Sequence, residues 1–242
     1  MHLIKVLNLP EKLVGSSILP LNSNKNQIIH LLNTYNLAIA HKNKEYFKLL
    51  EKSDYNFVDG KLLQIALKSR FQTTVCQIRG INLMKAILSN PQNGRRHLFI
   101  CANNRTFHLL SLRMNETYPN YDCEFAVPEF TNNIDTLRED ISRKIGNRSF
   151  DYIWVGIGTP KQDFLAEELS HFYQGSYILC VGAALDFFAG TKKEAPVLVQ
   201  KIGMEWFFRF AQEPRRLFKR YFVDSWGFIA LMLRDKIELV TD

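Results

Sequence analysis

Cysteine is scarce in this sequence, and its spacing matches no disulfide framework or metal site. Four cysteines occur in 242 residues, and none forms a CxxC pair or a cysteine–histidine spacing typical of zinc sites. Cys101 and Cys180 stand inside apolar runs that are typical of buried strands. We therefore expect small core residues in a reducing compartment and exclude a disulfide scaffold.

Long apolar runs are also missing. The longest clean stretch, residues 226–233, is far shorter than the roughly 20 residues that a membrane-spanning helix needs. The N-terminal MHLIKVLNLPEKL has neither the apolar core nor the cleavage site of a signal peptide. We expect a cytoplasmic protein, peripherally associated with the inner face of the plasma membrane if it meets a membrane at all.

Positive charge, in contrast, is in excess and unevenly distributed. The formal net charge is +7, and residues 191–221 hold eight cations and only three acids. A basic patch of this kind indicates a polyanionic partner: a nucleic acid, an anionic membrane or a phosphorylated substrate. The cations are Lys192, Lys193, Lys201, Arg209, Arg215, Arg216, Lys219 and Arg220.

Residues 1–190 alternate between helical patterns and short apolar strands, which is typical of an α/β fold. The spacing predicts helices over 25–40, 43–52, 62–69, 81–88, 107–116, 134–145 and 160–171, and strands over 55–58, 97–102, 123–127, 150–157 and 177–183. We predict a mainly parallel sheet flanked by helices. Ligands bind beyond the carboxyl ends of such strands, so Asp59, Gly158 and Gly182 are expected to face one crevice.

The turn after the strand at 150–157 has the composition of an anion site. Gly158 lets the backbone approach a ligand closely, and Thr159 followed by Pro160 fits an N-cap with proline at the first helical position. Backbone N–H groups and the helix dipole would then face the ligand, with Lys161 and Gln162 adding side-chain donors at the rim. A plain strand-to-helix turn is the alternative interpretation.

Asp59 is the first candidate for chemistry. An Asp-Gly pair after a strand is often only a turn, but a carboxylate above the sheet is also placed to accept a proton from an attacking hydroxyl. Asn33, Asn36 and Gln162 are candidates for orienting sugar hydroxyls.

The amino-acid composition changes after residue 190. The pattern predicts three helices, 196–210, 214–222 and 226–240, in which large apolar residues alternate with cations. We predict a helical basic appendage over 191–242, which packs on the domain formed by 1–190, lies in a membrane interface, or does both. Arg209, Arg216, Lys219 and Arg220 suit phosphate binding and leaving-group stabilisation. Because the chain has no Asp-x-Asp pair, we expect metal independence.

Several long motifs resemble a known family. They are VGIGTPKQD at 155–163, GAALDFFAG at 182–190, KEAP at 193–196 and GMEWFFRFAQEPRRLFKR at 203–220. Upstream, Asn33, the Asp59-Gly60 pair and Arg79-Gly80 follow in the expected order. Over residues 33–221 the sequence resembles the WecG/TagA/CpsF glycosyltransferases.

The resemblance implies a Rossmann-like enzyme that moves an N-acetylmannosamine-type sugar, ManNAc or ManNAcA, from a UDP donor to an undecaprenyl-diphosphate-linked amino sugar. It implies inversion, no metal and no cofactor, a role in cell-envelope polysaccharide synthesis, and an appendage that closes over the site and contacts an anionic membrane surface. Asp59 would be the general base. The residues expected to bind substrate are Asn33, Gly158, Thr159, Lys161, Gln162, Asp186, Arg209, Arg216, Lys219 and Arg220.

The sequence departs from the family pattern at a few positions. Leu31 replaces a threonine, and Asn103-Asn104 stand where a Gly-Gly turn is usual. The resemblance implies that Arg209 and Arg216 clamp the diphosphate, and the last arginine of this clamp aligns with Lys219 rather than with Arg220. The alternatives are a UDP-glucose-type donor in exopolysaccharide synthesis or a non-catalytic module that binds UDP and membrane. Nucleic acid is not expected as a partner, because the cations alternate with large apolar residues and no nucleic-acid motif is recognised.

Overall fold

A parallel β-sheet organises the chain. The computed structural model describes residues 3–8, 26–90, 96–129, 131–146, 148–234 and 236–241. Within these residues eight strands form one sheet in the order β5-β4-β6-β7-β2-β3-β1-β8, and every neighbouring pair is parallel. The strands are β1 Ile4–Asn8, β2 Gln27–Leu32, β3 Tyr55–Val58, β4 Arg96–Cys101, β5 Asp122–Ala126, β6 Tyr152–Gly156, β7 Tyr177–Cys180 and β8 Ile237–Thr241.

Helices cover both faces of this sheet, which confirms the predicted Rossmann-like α/β architecture. They are α1 Thr34–Lys42, α2 Lys44–Lys52, α3 Lys61–Phe71, α4 Gly80–Ser89, α5 Asn104–Thr117, α6 Ile134–Ile145, α7 Lys161–Ser170, α8 Ala184–Ala189, α9 Val197–Lys201, α10 Glu205–Gln212, α11 Pro214–Phe218 and α12 Gly227–Leu233. A π-helical segment, Lys219–Asp224, follows α11.

The hydrophobic core has a part on each face of the sheet, because the side chains of a strand alternate between the two faces. Successive residues of a strand point to opposite faces of the sheet. On β6, Trp154 packs with residues of α4, α5 and α8, whereas Ile153 and Val155 pack with residues of α6 and α7. Cys101 and Cys180 are buried free thiols, as expected from their apolar surroundings.

The predicted helix over 25–40 is wrong in its first half. Gln27–Leu32 is β2, which lies between β3 and β7 in the middle of the sheet, and residue 25 is outside the described residues. A short, mainly apolar segment such as QIIHLL matches a buried strand as well as one face of a helix. Asn33 then caps α1, so strand and helix meet at this residue.

The appendage also differs from its prediction. The expected helix over 226–240 ends at Leu233, and Ile237–Thr241 pairs with β1 as an edge strand of the sheet. The expected helix over 196–210 is divided at Gly203, whose φ of +78° ends α9. The helix expected over 214–222 changes to π geometry at Lys219. The division of the chain at residue 190 stays a prediction.

Candidate functional site

A polar crevice lies beyond the carboxyl ends of β2, β3, β6 and β7. Its cavity has a volume of about 150 Å³, and Asp59, Gly158 and Gly182 all line it, as predicted. Leu31, which stands where the family has threonine, is buried at the floor of this crevice. The crevice is therefore formed by the turns that parallel topology places at one edge of the sheet.

A second, largely apolar groove adjoins the crevice. Its cavity has a volume of about 240 Å³, and Leu62 and Leu63 of α3 line it together with aromatic residues of the appendage. Five residues line both cavities and so mark a junction between them. They are Asn33, Asp59, Glu205, Arg209 and Arg220.

Asp59 lies at this junction, directly after β3. Its backbone N–H donates to the Leu32 carbonyl (2.8 Å), and its Oδ1 accepts a long bond from the Gly80 N–H (3.4 Å). The pKa of Asp59 is raised to about 6, mainly because burial disfavours the carboxylate and next because Glu205 lies nearby; Arg209 and Arg79 act in the opposite direction. At neutral pH the carboxyl group is thus mostly ionised, and its pKa is close enough to 7 for the group to accept and release a proton.

The loop from Gly158 to Gln162 closes the other side of the crevice. Gly158 has a φ of +94° and donates its N–H to Gln162 Oε1 (3.1 Å). Gln162 is buried, and its Nε2 donates to Thr159 Oγ1 (3.3 Å). The expected N-cap is wrong: α7 begins at Lys161 after a cis Thr159–Pro160 bond, and the Thr159 hydroxyl accepts from Gln162 and Asn36 instead of capping the helix.

A buried polar network supports this loop. Asn36 Nδ2 donates to Thr159 Oγ1 (3.2 Å) and to the Tyr46 hydroxyl (2.9 Å), which donates to Asp163 Oδ2 (2.9 Å). Asp163 Oδ1 bonds His30 Nδ1 (2.8 Å). Buried polar groups joined in this way hold one loop conformation.

Among the described residues, His30, Asp163 and Cys180 are the group spaced closely enough to consider as metal ligands. Both carboxylate oxygens of Asp163 are already hydrogen-bonded. Burial raises the pKa of the Cys180 thiol well above its ordinary value, which disfavours the thiolate that a metal requires. We interpret this cluster as support for α7.

The predicted cations separate into two sets. Arg209 of α10 lies with its guanidinium 5.5 Å from the centre of the Phe187 ring, and Arg220 lies 4.4 Å from the Tyr35 ring centre with a 3.5 Å contact to Asn33 Oδ1. Both line the junction. Lys219 is exposed and is not among the residues that line either cavity. Arg216 belongs to α11, but its side chain is outside the described part of the chain.

Asp186 and Lys161 lie in different surroundings. Asp186 lines the crevice, where it accepts from Thr106 Oγ1 (2.6 Å) and pairs with Lys192 (3.1 Å). Lys161 Nζ donates to the Thr131 carbonyl (2.9 Å), and Lys161 is not among the residues that line the crevice or the groove.

Arg79 and Glu205 are site residues that the sequence reasoning missed. Arg79 is only 12% exposed and lines the crevice; its guanidinium bonds Gln200 (2.7 Å), Glu205 (3.2 Å) and Glu194 (3.3 Å) of the appendage. Glu205 and Arg209 are four residues apart and so share one face of α10. The Arg79–Glu205 pair therefore fixes the face of α10 that carries Arg209 toward the junction. The Arg79-Gly80 pair and this spacing were the available signals.

In a plot of kcat/KM against pH, the acidic limb is the range in which the rate falls as the pH is lowered. A Glu205→Gln variant is expected to move this limb to lower pH. The limb of kcat/KM reports the essential base of the free enzyme. Asp59 is the predicted base, and its pKa of about 6 is raised in part by Glu205. Removing the Glu205 charge lowers this pKa, because the negative charge of Glu205 acts directly on the Asp59 carboxylate. Measuring kcat/KM of the catalysed reaction across acidic pH tests this.

Glu194→Gln is the matched control. Glu194 also pairs with Arg79, at 3.3 Å, but it is not among the residues that line the crevice. We expect its acidic limb to coincide with that of the native protein. An equal shift in both variants, or no shift in either, would contradict a specific influence of Glu205 on Asp59.

The fold is a Rossmann-like α/β architecture, and Asp59, Arg209 and Arg220 lie where its polar crevice meets an apolar groove. The family model described as Glycosyl transferase WecG/TagA/CpsF family matches residues 4–241. The chain belongs to this family and is a glycosyltransferase.

Curated relatives agree with this assignment. Two proteins of Staphylococcus aureus, from strains MW2 and NCTC 8325 / PS 47, are each 28% identical to this chain over 183 residues, which is 75% of this chain and 70% of each relative. Both are named N-acetylglucosaminyldiphosphoundecaprenol N-acetyl-beta-D-mannosaminyltransferase. Among the residues that the structure describes, no helix is both long and apolar enough to cross a bilayer.

Proposed function

We propose that this glycosyltransferase moves an N-acetylmannosamine-type sugar from a UDP donor to an undecaprenyl-diphosphate-linked amino sugar, with inversion and without a metal, in cell-envelope polysaccharide synthesis. The observation that carries the proposal is the junction, where Asp59 and Arg209 line a polar and an apolar cavity at once. The names of the staphylococcal relatives supply the substrates that fit such a pair of cavities.

In this proposal the donor occupies the crevice and the acceptor occupies the groove. Asp59 takes the proton from the acceptor hydroxyl as its oxygen attacks the sugar carbon, and the electron pair of the broken bond passes to the diphosphate of UDP. Attack from the side opposite the diphosphate inverts the sugar carbon. Arg209 and Arg220 stabilise the charge that collects on the leaving group, which is the part that a divalent metal plays in other transferases.

The remaining residues would position the donor. Gln162 and Thr159 form the wall of the crevice, and Gly158 leaves the space beside it open, since a side chain built there would meet no atom within 4 Å. Asn33 lies at the junction, where its amide is placed to bind a sugar hydroxyl. Asp186 is tied to Thr106 and Lys192, so we assign it to shaping the crevice around the donor.

We also propose that the appendage contacts the anionic inner surface of the plasma membrane. Phe218, Phe222 and Trp226 are exposed, and Arg215 and Lys219 are exposed beside them in the sequence. Aromatic side chains enter the headgroup region while neighbouring cations meet anionic lipid. Such contact would bring the lipid-linked acceptor to the groove.

The test is incubation of the purified protein with undecaprenyl-diphosphate-linked N-acetylglucosamine and a panel of UDP-sugars in the presence of EDTA. We expect UDP release and a lipid product heavier by one sugar, detected by mass spectrometry, with a UDP-N-acetylmannosamine-type donor. A product with UDP-glucose alone would favour that donor instead. Tight UDP binding with no product from any donor would favour a non-catalytic module, and restoration of activity by EDTA removal would contradict metal independence.

A further inference from the structure

The helix α3 exposes apolar side chains on the face opposite its buried one. Leu63 and Leu67 are buried in the core, whereas Leu62 is 50% and Ile65 54% exposed. These two residues are three positions apart, so they lie together on the outer face. A core-facing helix of a globular domain normally carries polar residues there. The outer face of α3 therefore departs from this pattern at two adjacent positions.

This face adjoins the mouth of the apolar groove. Lys61 and Leu62 line the groove, and a Cβ on Gly203, in the turn between α9 and α10, would lie 3.1 Å from Lys61 Cγ. On the other side of the groove, Phe222 and Trp226 are exposed, Trp226 by 62%. Exposed apolar side chains thus border the groove on both sides, from two parts of the chain that are far apart in sequence.

The charges of α3 indicate what covers this face. Its sequence, KLLQIALKSRF, contains Lys61, Lys68 and Arg70 and no acidic residue. Apolar side chains flanked by cations match the boundary between headgroups and acyl chains in an anionic leaflet. The three charges of α3 are all positive, so an anionic surface is complementary to this face.

We propose that α3 is a membrane-docking element in its own right, whose Leu62 and Ile65 enter an anionic leaflet beside the aromatic residues of the appendage. The groove then opens at the boundary of the hydrocarbon. A lipid-linked acceptor passes from the leaflet to Asp59 without crossing water. This role of α3 rests on the proposed function for its substrate, and it adds a second attachment point, formed by residues before 190, to the one expected in the appendage.

The test compares a Leu62→Ser, Ile65→Ser double variant with a Leu112→Ser control, using vesicles of phosphatidylglycerol and phosphatidylcholine. Leu112 is 58% exposed on α5 and lines neither the crevice nor the groove. In co-sedimentation the vesicle partition coefficient of the double variant is expected to fall by about tenfold or more, because two aliphatic side chains no longer enter the leaflet. The control is expected to bind as the native protein does.

Two results would overturn the proposal. One is equal vesicle binding by the double variant and the native protein. The other is a native dimer in analytical ultracentrifugation that the double variant converts to monomer, which would assign the face of α3 to a second copy of the chain.

A water-soluble, short-chain acceptor separates this proposal from the proposed function. Transfer to that acceptor is expected to be unchanged in an Ile65→Ser single variant, because Ile65 is exposed and lines neither the crevice nor the groove. If the native protein transfers no sugar to any acceptor while its vesicle binding still depends on α3, the proposed function fails and the docking element stands. If the native protein transfers sugar normally while its vesicle binding is independent of α3, the docking element fails and the proposed function stands.

Discussion

Replacing Asp59 with asparagine is expected to abolish sugar transfer while leaving UDP binding close to that of the native protein. The amide keeps the size of the side chain and can still accept the Gly80 N–H bond, but it cannot take a proton from the acceptor hydroxyl. Loss of a general base costs about 10²–10⁴ in rate. The measurement is kcat of UDP release with donor and acceptor saturating, alongside calorimetric titration of UDP.

Asp135→Asn is a suitable control, because Asp135 is exposed on α6 and its ion pair with Arg138 is a surface pair of little energetic weight. Its rate is expected to match that of the native protein. Normal turnover by Asp59→Asn would remove Asp59 from the chemistry. Loss of UDP binding together with the rate would assign Asp59 to donor binding instead.

The pKa of Asp59 also predicts how the Asp59→Asn substitution changes the free energy of unfolding. The folded pKa of Asp59 is about 6, above the value of about 3.9 for an unfolded aspartate, so folding disfavours its ionised form. This group therefore destabilises the native protein at pH 7, and the penalty disappears as the pH falls through 6 toward 4. Asp59→Asn is expected to be more stable than the native protein at pH 7, by about 1–3 kcal/mol, and equal to it near pH 4. Thermal unfolding at the two pH values measures the difference.

The sequence predicted those site residues that directly follow a strand. Asp59 and the Gly158–Gln162 turn follow short apolar runs, so parallel topology alone predicts that they meet. The predicted strands and the helices of the α/β region other than the first agree with the structure within three residues at each end.

The sequence did not predict the elements whose secondary structure depends on pairing with distant parts of the chain. β2 is a strand because β3 and β7 flank it, and β8 is a strand because β1 offers an unpaired edge, with Ile237 opposite Ile4. Local periodicity carries neither fact. The contact of Arg79 with Glu205 joins residues 126 positions apart, so spacing could suggest a role for each of them but not their pairing.

An Arg209→Ala variant is expected to lower kcat/KM by about 10²–10³. Arg209 lines both cavities, and its guanidinium is held over the Phe187 ring on a helix face that Glu205 ties to Arg79. A cation fixed at the junction stabilises the diphosphate most when its bond to the sugar breaks, so kcat falls more than UDP affinity does. Arg209→Lys is expected to recover part of the rate, since it restores the charge without the bidentate geometry.

Two further cations make this prediction specific. Arg215 is exposed on α11, and its change to alanine is expected to leave transfer to a water-soluble acceptor unchanged. Lys219 was expected from the family pattern to belong to the diphosphate clamp, yet it is exposed and lines neither cavity. If its position outside both cavities determines the role of Lys219, Lys219→Ala is expected to keep most of the native rate, whereas Arg209→Ala loses it. Equal losses in the two variants would mean that the appendage rearranges when substrate binds, with Lys219 moving to the diphosphate.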